Sequence, residues 1–300
     1  MNSIDLSINI AGIQMSNPIM PASGCFGYGE EAYQLIGFDL RKLGAIISKG
    51  TTLLYSQGNP QPRIWQTASG MINRIGLENP GIAVVIVEKI PFMAQFGVPV
   101  IINISGKGIE EYESMAQKLN EVAEVTAIEV NISCPNIKGG GMLFGSDEKM
   151  AFQVVRAVRE QTDLPLIVKL TPNVTDIQVI ARAVVKAGAD AISLINTVRG
   201  SFLHNGKIYD GGLSGPAIKP IALALVAKTV QVVDVPVIGV GGISCLQDIF
   251  DFFKVGAVAV QVGTAGFKNP LVLMELIKKL EQYCQENGFQ NLKELKEATK

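Results

Sequence analysis

The sequence has little of the chemistry that metal centres and hydrolytic triads require. Its 300 residues include one histidine, His204, and four cysteines. A single imidazole argues against a histidine-based metal site and against a Ser-His-Asp triad. No two cysteines form a CxxC pair, and no cysteine–histidine cluster has the spacing of zinc ligands. We therefore expect no bound metal, and we interpret the thiols as reduced, which indicates a cytoplasmic protein.

Excess charge and long apolar runs are also missing. The chain has 26 Lys and Arg against 27 Asp and Glu, a net charge of −1, which provides no basic surface for nucleic acid or for an anionic membrane. No run approaches the roughly 20 apolar residues of a spanning helix, and the run 82–87 ends at Glu88 and Lys89. The N-terminus lacks the basic and then apolar pattern of a signal peptide. We expect no nucleic-acid partner and no membrane anchor.

What the sequence does contain is a series of short apolar runs, each followed by small or polar residues. Such runs are typical of parallel strands covered on both faces, and helical spacing fills the gaps, as over 177–184 after a capping box at Thr175. This alternation predicts a (β/α)₈ TIM barrel, with an open doubly wound sheet as the alternative. The predicted strands are 18–24, 45–51, 98–105, 127–134, 166–172, 192–197, 236–243 and 259–265.

The remaining segments fit one domain over residues 1–300, because no linker divides the chain. Alternating apolar residues near the N-terminus predict a β-hairpin under the barrel, and 270–300 predicts a closing helix and a short polar helix. The segments 53–80 and 198–212 are interpreted as long loops, which are commonly functional. His204 is interpreted as a surface residue of the second loop. Cys25, Cys245 and Cys284 are interpreted as small buried residues.

In a TIM barrel the active site lies at the C-terminal ends of the strands. The seventh and eighth strands end in the glycine-rich segments 239–244 and 262–266, which expose backbone N–H groups at the start of a helix. Two such loops on consecutive final strands predict a phosphate-bearing ligand. The alternative for either loop alone is a tight turn without a ligand.

Lysines and asparagines follow other strands. Lys49 and Lys169 end strands two and five, and a lysine in an apolar strand is costly unless it meets an anion or an acceptor. They indicate an electron-rich cofactor or an anionic substrate, and Lys169 also fits a Schiff-base lysine. Asn103, Asn131 and Asn196 end strands three, four and six and suggest a polar ring around a planar ligand.

Cys134 lies in the segment NISCPN (131–136), before three glycines. A cysteine on a loop over the pocket can serve as a catalytic acid/base. At this point the chain resembles a known family over nearly its whole length, the class 1 dihydroorotate dehydrogenases, and it is most similar to subclass 1B. The motifs that carry the resemblance are NPIMPASGCFGYGEE (17–31), NPQPRIWQTASGMINRIGLENPG (59–81), NISCPNIKGGGMLFG (131–145), VKLTPNV (168–174), INT (195–197), GGLSGPAIKP (211–220), GVGGI (239–243) and VGTAGF (262–267).

The resemblance implies FMN across the strand ends, with Cys134 removing the C5 proton of dihydroorotate while hydride passes from C6 to flavin N5. The flavin performs the redox chemistry, and the protein supplies orientation and charge. The implied cofactor contacts are Ser23, Lys49, Gly50, Asn103, Asn131, Lys169 and Ile195 for the ring and ribityl chain, and Gly215, Gly241, Gly242, Gly263 and Thr264 for the phosphate end. The implied substrate contacts are Lys49, Asn73, Arg74, Ile75, Gly76, Leu77, Asn131, Asn196 and Thr197.

The subclass also implies partners. Membrane-bound class 2 enzymes use serine as the base, whereas this chain has Cys134 followed by the subclass 1B pattern PNIKGGGMLFG. Subclass 1B enzymes pass electrons to a subunit that carries FAD and a [2Fe–2S] cluster, and then to NAD⁺. This chain has no ferredoxin-like cysteine set, so a cluster belongs to another chain. The resemblance suggests a homodimer joined by two such subunits.

Two features depart from the family pattern. Gly50 stands where the family has alanine, and the segment between Thr197 and Ser214 is several residues shorter than in subclass 1B. They motivate an alternative, a related FMN-dependent pyrimidine-ring oxidoreductase with another substrate or acceptor. Further alternatives are a Schiff-base aldolase that uses Lys169 and a catalytically inactive binding barrel.

Overall fold

The computed structural model describes residues 4–133 and 144–299, and strands and helices are numbered in chain order within these ranges. The strands are β1 (Ile8–Ile10), β2 (Ile13–Met15), β3 (Ile19–Pro21), β4 (Ile46–Ile47), β5 (Ile64–Thr67), β6 (Gly70–Asn73), β7 (Val100–Ile104), β8 (Ala127–Asn131), β9 (Leu166–Leu170), β10 (Ala191–Leu194), β11 (Val198–His204), β12 (Lys207–Ser214), β13 (Val237–Val240) and β14 (Ala259–Val262). The α-helices are α1 (Glu30–Tyr33), α2 (Ile82–Val84), α3 (Ile90–Ala94), α4 (Ile109–Asn120), α5 (Glu148–Arg159), α6 (Ile177–Lys186), α7 (Lys219–Val230), α8 (Leu246–Lys254), α9 (Ala265–Lys268), α10 (Val272–Glu286) and α11 (Leu292–Thr299).

Eight parallel strands form a barrel. Their order is β3-β14-β13-β10-β9-β8-β7-β4, so each strand lies beside the next barrel strand of the chain. The ring closes between β3 and β4, where the Gly44 amide donates to the Ile19 carbonyl at 3.0 Å. The TIM barrel predicted from the sequence is therefore confirmed, and the open doubly wound sheet is excluded. Each of the eight predicted runs overlaps one barrel strand, and β10 begins one residue before its run.

Helices cover the outside of the barrel, and their ends follow local capping chemistry. The helix α6 begins after Asp176, whose Oδ1 accepts the Gln178 amide at 2.9 Å. The cap predicted at Thr175 is therefore wrong by one residue, because the aspartate satisfies an N-terminal amide in its place. Helices α2 and α3 are joined by a π-helical segment (Val85–Lys89) into one continuous helix.

The bottom of the barrel is closed by the hairpin β1–β2, as expected. Ile10, Ile13 and Met15 of this hairpin belong to one buried apolar cluster with inward-facing residues of the barrel strands, such as Ile101 and Ile238. Most other buried residues lie between the strands and the surrounding helices. The hairpin thus closes the end of the barrel opposite the strand C-termini, which leaves the C-terminal end as the place for a candidate site.

The two segments interpreted as long loops contain a second sheet, so that interpretation is wrong. Strands β5, β6, β11 and β12 form an antiparallel sheet, here called the outer sheet, in the order β11-β12-β6-β5. The turn between β11 and β12 is Asn205-Gly206, with φ of 48° and 72°. An Asn-Gly pair between alternating residues favours a two-residue hairpin, and this signal was present in the sequence.

The C-terminal region matches the two predicted helices, α10 and α11, although α11 also buries Leu292 and Leu295. Cys284 is buried as expected, but Cys25 is partly exposed and Cys245 is exposed. Cys245 is the N-cap of α8, which explains why it lies at the surface. Among the described residues, no helix is both long and apolar enough to cross a membrane.

Candidate active site at the barrel mouth

A buried carboxylate lies inside the barrel, and sequence reasoning missed it. Glu129 on β8 has no exposed surface. Its Oε1 accepts Asn103 Nδ2 at 2.7 Å, and its Oε2 accepts Ser193 Oγ at 2.9 Å and Gln261 Nε2 at 2.7 Å. Lys169 Nζ lies 3.7 Å from Oε1. One carboxylate therefore joins side chains from β7, β9, β10 and β14.

Lys169 links this carboxylate to the first barrel strand. Its Nζ donates to Ser23 Oγ at 2.8 Å and to Gln261 Oε1 at 3.3 Å, and the residue is 3% exposed. Burial would raise the pKa of Glu129, but the Lys169 ammonium and the hydrogen bonds from Gln261, Asn103 and a serine hold that pKa below its usual value. The pair Glu129–Lys169 is thus a charged, hydrogen-bonded centre inside the barrel.

The sequence did carry a signal for this centre. Glu129 lies in the apolar strand AIEVN and Gln261 in the apolar strand AVQV. A polar side chain in an apolar strand needs a partner, so Glu129 and Gln261 are marked by the same pattern as Lys169. These two residues are the partners of Lys169 that the lysine pattern alone does not identify.

Lys49, Gly50 and Asn103 come together at the rim of the barrel. Lys49 is partly exposed, and within the described ranges its ammonium forms no ion pair. A Cβ on Gly50 would lie 3.1 Å from Asn103 Oδ1 and 3.0 Å from Leu77 Cδ2. Asn103 is fully buried, and its Oδ1 has no hydrogen-bond partner in the described part of the chain. A buried acceptor beside a glycine suits an N–H donor of a flat ligand.

The buried side chain of Asn79 brings Leu77 to this rim. Asn79 Nδ2 donates to the Leu77 carbonyl at 2.7 Å and to Thr52 Oγ1 at 2.8 Å, while its Oδ1 accepts the Thr52 amide at 3.1 Å. The chain that follows β6 is thereby fixed to the chain that follows β4. This contact places one end of the segment 73–77 beside Gly50, where substrate contacts were predicted.

The start of that segment is fixed by the outer sheet. Asn73 pairs with Gly212 across β6 and β12, and the Ile75 carbonyl accepts the Asn59 amide at 2.8 Å. Gly76 has a φ of 77°, and a Cβ there would lie 2.7 Å from Asn59 Nδ2. Only glycine fits this turn without strain.

Arg74 is the member of the segment that turns toward other partners. Its NH1 donates to the carbonyls of Pro60 at 3.2 Å and Pro62 at 3.3 Å, and its guanidinium lies 5.3 Å from the centre of the Tyr209 ring. These contacts join Arg74 to the outer sheet and to the chain that precedes β5. Its role as a substrate contact remains a prediction.

Asn131 and Asn196 stand at the ends of β8 and β10. Asn131 Oδ1 accepts the Ser133 amide at 3.1 Å, and Asn196 Oδ1 accepts the Thr197 amide at 2.8 Å. The Thr197 carbonyl in turn accepts Asn173 Nδ2 at 3.0 Å. Asn131 and Asn196 thus each use the side-chain oxygen in a local turn, unlike Asn103, so the Nδ2 of these two residues is the group suited to a ligand acceptor.

The predicted phosphate loops meet at one side of the mouth. A Cβ on Gly242 would lie 3.0 Å from the Gly215 carbonyl oxygen, and one on Gly215 would lie 3.4 Å from Thr264 Cγ2. Gly241, Gly242 and Gly215 have φ of 127°, 74° and 91°, which favour glycine. Gly263 and Thr264 are partly exposed, as are Gly241 and Gly242. The loops after β12, β13 and β14 therefore form one glycine-lined cradle.

Two further residues form the edge of this cradle. Ile195 is buried, its amide donates to the Val240 carbonyl at 2.8 Å, and a Cβ on Gly241 would lie 3.3 Å from Ile195 Cγ1. A Cβ on Gly263 would lie 3.1 Å from Cys25 Sγ. Cys25, which sequence reasoning set aside, thus contacts the predicted phosphate end.

Cys134 itself lies outside the described residues. The strand that leads to it is well anchored, because Ser133 is buried and its Oγ donates to the Lys169 carbonyl at 2.7 Å. In 4–133 and 144–299 no group of three or more His, Cys, Asp or Glu side chains is arranged to hold a metal ion.

The parallel barrel, with a charged centre and a glycine cradle at the strand C-termini, defines a TIM-barrel protein whose candidate site lies at the mouth of the barrel. Comparison with known proteins gives the family. The model of the family "Dihydroorotate dehydrogenase" matches residues 5–284, and the chain belongs to this family.

Individual relatives match over nearly their whole length. A protein of Geotalea uraniireducens (strain Rf4) is 50% identical over 98% of both chains. Proteins of Anoxybacillus flavithermus and Malacoplasma penetrans are 45% and 44% identical over 96% and 98% of this chain, and over 94% and 98% of their own. All three are named "Dihydroorotate dehydrogenase B (NAD(+)), catalytic subunit".

Proposed function

We propose that this chain is the catalytic subunit of an NAD-linked dihydroorotate dehydrogenase, which oxidises (S)-dihydroorotate to orotate in pyrimidine biosynthesis with FMN as its cofactor. The observation that carries the proposal is the arrangement of residues at the mouth of the barrel, in a chain that belongs to the dihydroorotate dehydrogenase family. At this mouth a buried acceptor without a hydrogen-bond partner, Asn103 Oδ1, lies beside Gly50, and the loops after the final strands form a glycine cradle. A cytoplasmic location belongs to the same proposal.

The residues present fit FMN. The orphaned Asn103 Oδ1 suits an N–H donor of the flavin ring, and the side chains of Ser23, Lys49, Asn131 and Lys169 provide polar groups around it. A Cβ at Gly215, Gly241, Gly242 or Gly263 would lie 2.6–3.1 Å from a neighbouring protein atom, so these loops pack closely only with glycine. Backbone amides of such glycine-rich loops are groups that can bind a phosphate. The polar side chains near the charged centre would thus hold the ring, and the glycine cradle would hold the phosphate.

FMN, when bound, supplies a two-electron acceptor for hydride. The chain supplies the rest. Lys49 and the amides of Asn131 and Asn196, with the segment 73–77, would bind and orient the anionic substrate, whose carboxylate suits a lysine. The Cys134 thiolate would take the C5 proton, because a cysteine that loses its proton readily can act as a base near neutral pH.

The electrons must leave this subunit after each turnover. We propose that they pass to a partner subunit with FAD and a [2Fe–2S] cluster, and from there to NAD⁺, within an assembly built on a homodimer. The names of the relatives support a partner, since each is called a catalytic subunit. The absence of a ferredoxin-like cysteine set from the sequence also supports a cluster in another chain.

The test is anaerobic reduction of the purified protein. We expect a yellow protein whose flavin absorbance is bleached by dihydroorotate. The variant Cys134→Ala should keep FMN and lose about 10²- to 10⁴-fold in the rate of reduction near neutral pH, the usual contribution of a general base. A full rate in that variant would remove Cys134 from its role.

The alternatives give different outcomes of the same experiment. Flavin that ignores dihydroorotate but, once reduced, is reoxidised by a uracil-type ring would favour the related pyrimidine-ring oxidoreductase. The structure offers that alternative no separate support, because the short segment after Thr197 is an ordered hairpin of the outer sheet. A colourless protein that forms a borohydride-trapped adduct at Lys169 would support the aldolase, for which family membership gives no support.

A further inference from the structure

An ion cluster lies directly behind the glycine cradle. Lys219, the first residue of α7, donates through Nζ to Asp248 Oδ1 at 2.5 Å and to Asp251 Oδ2 at 2.7 Å. Both aspartates belong to α8. The side chains of Lys219, Asp248 and Asp251 are 23%, 9% and 29% exposed, so the cluster is partly shielded from solvent and partly in contact with it. It ties the start of one barrel helix to the next.

Asp248 continues the connection into the loop after β13. Its Oδ2 accepts the amides of Ser244 at 2.7 Å and Cys245 at 2.9 Å, and also the Ser244 hydroxyl at 3.1 Å. Burial would raise the pKa of Asp248, but Lys219 and these donors hold it below its usual value. An ionised Asp248 is therefore hydrogen-bonded to Ser244 and Cys245, the two residues that follow the segment 241–243.

Lys219 also forms a wall of the cradle. A Cβ on Gly242 would lie 2.6 Å from Lys219 Cβ and 2.9 Å from the Lys219 backbone nitrogen. The same Cβ would lie 3.0 Å from the Gly215 carbonyl oxygen. The backbones of Gly215, Lys219 and Gly242 are thus in contact, and the ion cluster fixes their distance from the opposite side.

The charges add a second effect. Two carboxylates face one ammonium, and without Lys219 both would stand close behind a site for a phosphate dianion. Repulsion between like charges in a partly desolvated region is substantial.

We propose that Lys219 and Asp248 are positioning residues for the phosphate of FMN, a role that rests on the proposed function. Asp248 and Lys219 clamp the loops after β12 and β13, and the ammonium neutralises the carboxylates behind them. Neither residue needs to touch the ligand.

The test compares FMN with riboflavin, which lacks the phosphate. The full chain, freed of flavin, is titrated with each ligand by fluorescence. In Lys219→Met we expect FMN affinity to fall about tenfold or more and riboflavin affinity to change less than about twofold. Lys279→Met is the matched control, since it removes an exposed lysine paired with Glu275 on α10 and should leave both affinities unchanged.

A second variant guards against misfolding of the first. Asp251→Asn keeps the hydrogen bonds between Asp248 and the loop after β13 and removes one negative charge. FMN affinity should therefore stay the same or rise. Equal losses for FMN and riboflavin in Lys219→Met, or a preserved preference for FMN, would overturn the role of Lys219. So would a tenfold loss of FMN affinity in Asp251→Asn. A wild-type chain with no preference for FMN would instead overturn the proposed cofactor.

Discussion

Two lysine–carboxylate clusters stand at the same end of the barrel, and they differ in depth. In the inner cluster, the side chains of Lys169 and Glu129 are 4% and 0% exposed, and Lys169 Nζ lies 3.7 Å from Glu129 Oε1. Uncharged side chains fill the remaining hydrogen-bonding positions of the carboxylate. In the outer cluster, Lys219 and Asp248 are 23% and 9% exposed, and their contact is 2.5 Å. The closer contact is the more solvated one.

The difference shows that distance alone does not rank such pairs. A buried charge that loses its partner has no water to replace it, so the loss costs about 3–5 kcal/mol. A solvated pair is worth about 1 kcal/mol or less, because water screens both partners. We therefore expect the inner cluster to control the stability of the barrel and the outer cluster to act mainly on ligand binding.

The largest expected effect is the loss of the inner carboxylate charge. Glu129→Gln keeps the shape of the side chain and leaves Lys169 buried without a counter-charge, so unfolding free energy should fall by about 3–5 kcal/mol. Lys219→Met should cost only about 1 kcal/mol. Urea unfolding of the flavin-free protein measures both.

Ser193→Ala is the control for this comparison, since it removes one hydrogen bond to the same carboxylate and no charge. It should cost about 1 kcal/mol. If Glu129→Gln proved no more destabilising than Ser193→Ala, the inner cluster would owe its stability to hydrogen bonds and not to charge.

A double variant gives the next largest effect. Lys169→Met combined with Glu129→Gln removes both charges, so the double variant should be more stable than the sum of the single losses predicts, by about 1–3 kcal/mol. The coupling between Lys219→Met and Asp248→Asn should be smaller, about 1 kcal/mol or less, because water partly screens this pair. Additivity in the inner cluster would show that Lys169 and Glu129 are not energetically coupled.

Acid should abolish the stabilisation from the two clusters at different pH values. The pKa of Glu129 is lowered from 4.5 in the folded chain. The stability that its charge contributes is complete above that value and is lost as the pH falls through the folded value. The difference in unfolding free energy between wild type and Glu129→Gln should therefore decrease below about pH 4.5.

For the outer cluster, the unperturbed pKa of the carboxyl group is lower than for Glu129. The pKa of Asp248 is lowered from 3.8. The difference in unfolding free energy between wild type and Asp248→Asn should therefore stay constant down to about pH 4 and decrease below it. Urea midpoints measured in steps of pH give both curves. Gaps that narrow together at one pH would mean that a single acid transition, and not these carboxylates, sets the stability.

The clusters also differ in how far the sequence predicts them. The barrel follows from the spacing of apolar runs, because inward and outward faces of parallel strands are both buried and each run stands out. Lys169 was selected because a charged residue interrupts such a run. Glu129 interrupts β8 in the same way, and attention to carboxylates as well as lysines would have found it.

The outer cluster and the outer sheet were harder to predict. Lys219, Asp248 and Asp251 lie at polar positions of helices, where charge is ordinary, and only the packing of α7 against α8 brings them together. Strands β5 and β6 lie among polar residues without a strong alternation of apolar side chains. Only the Asn205-Gly206 turn marks the β11–β12 hairpin locally, and the pairing of β12 with β6 joins segments far apart in the sequence.

Added salt gives the smallest expected effect, and it tests directly how far each cluster is shielded from solvent. Raising the ionic strength from about 0.05 M to about 0.5 M shortens the screening length several-fold and weakens solvated pairs more than buried ones. The cost of Lys219→Met should shrink by a few tenths of a kcal/mol, while the cost of Glu129→Gln stays the same. Parallel urea titrations at the two salt concentrations measure this. A Glu129→Gln cost that falls with salt as much as that of Lys219→Met would mean that water and ions reach the barrel interior, and the contrast between a dry inner cluster and a solvated outer one would be wrong.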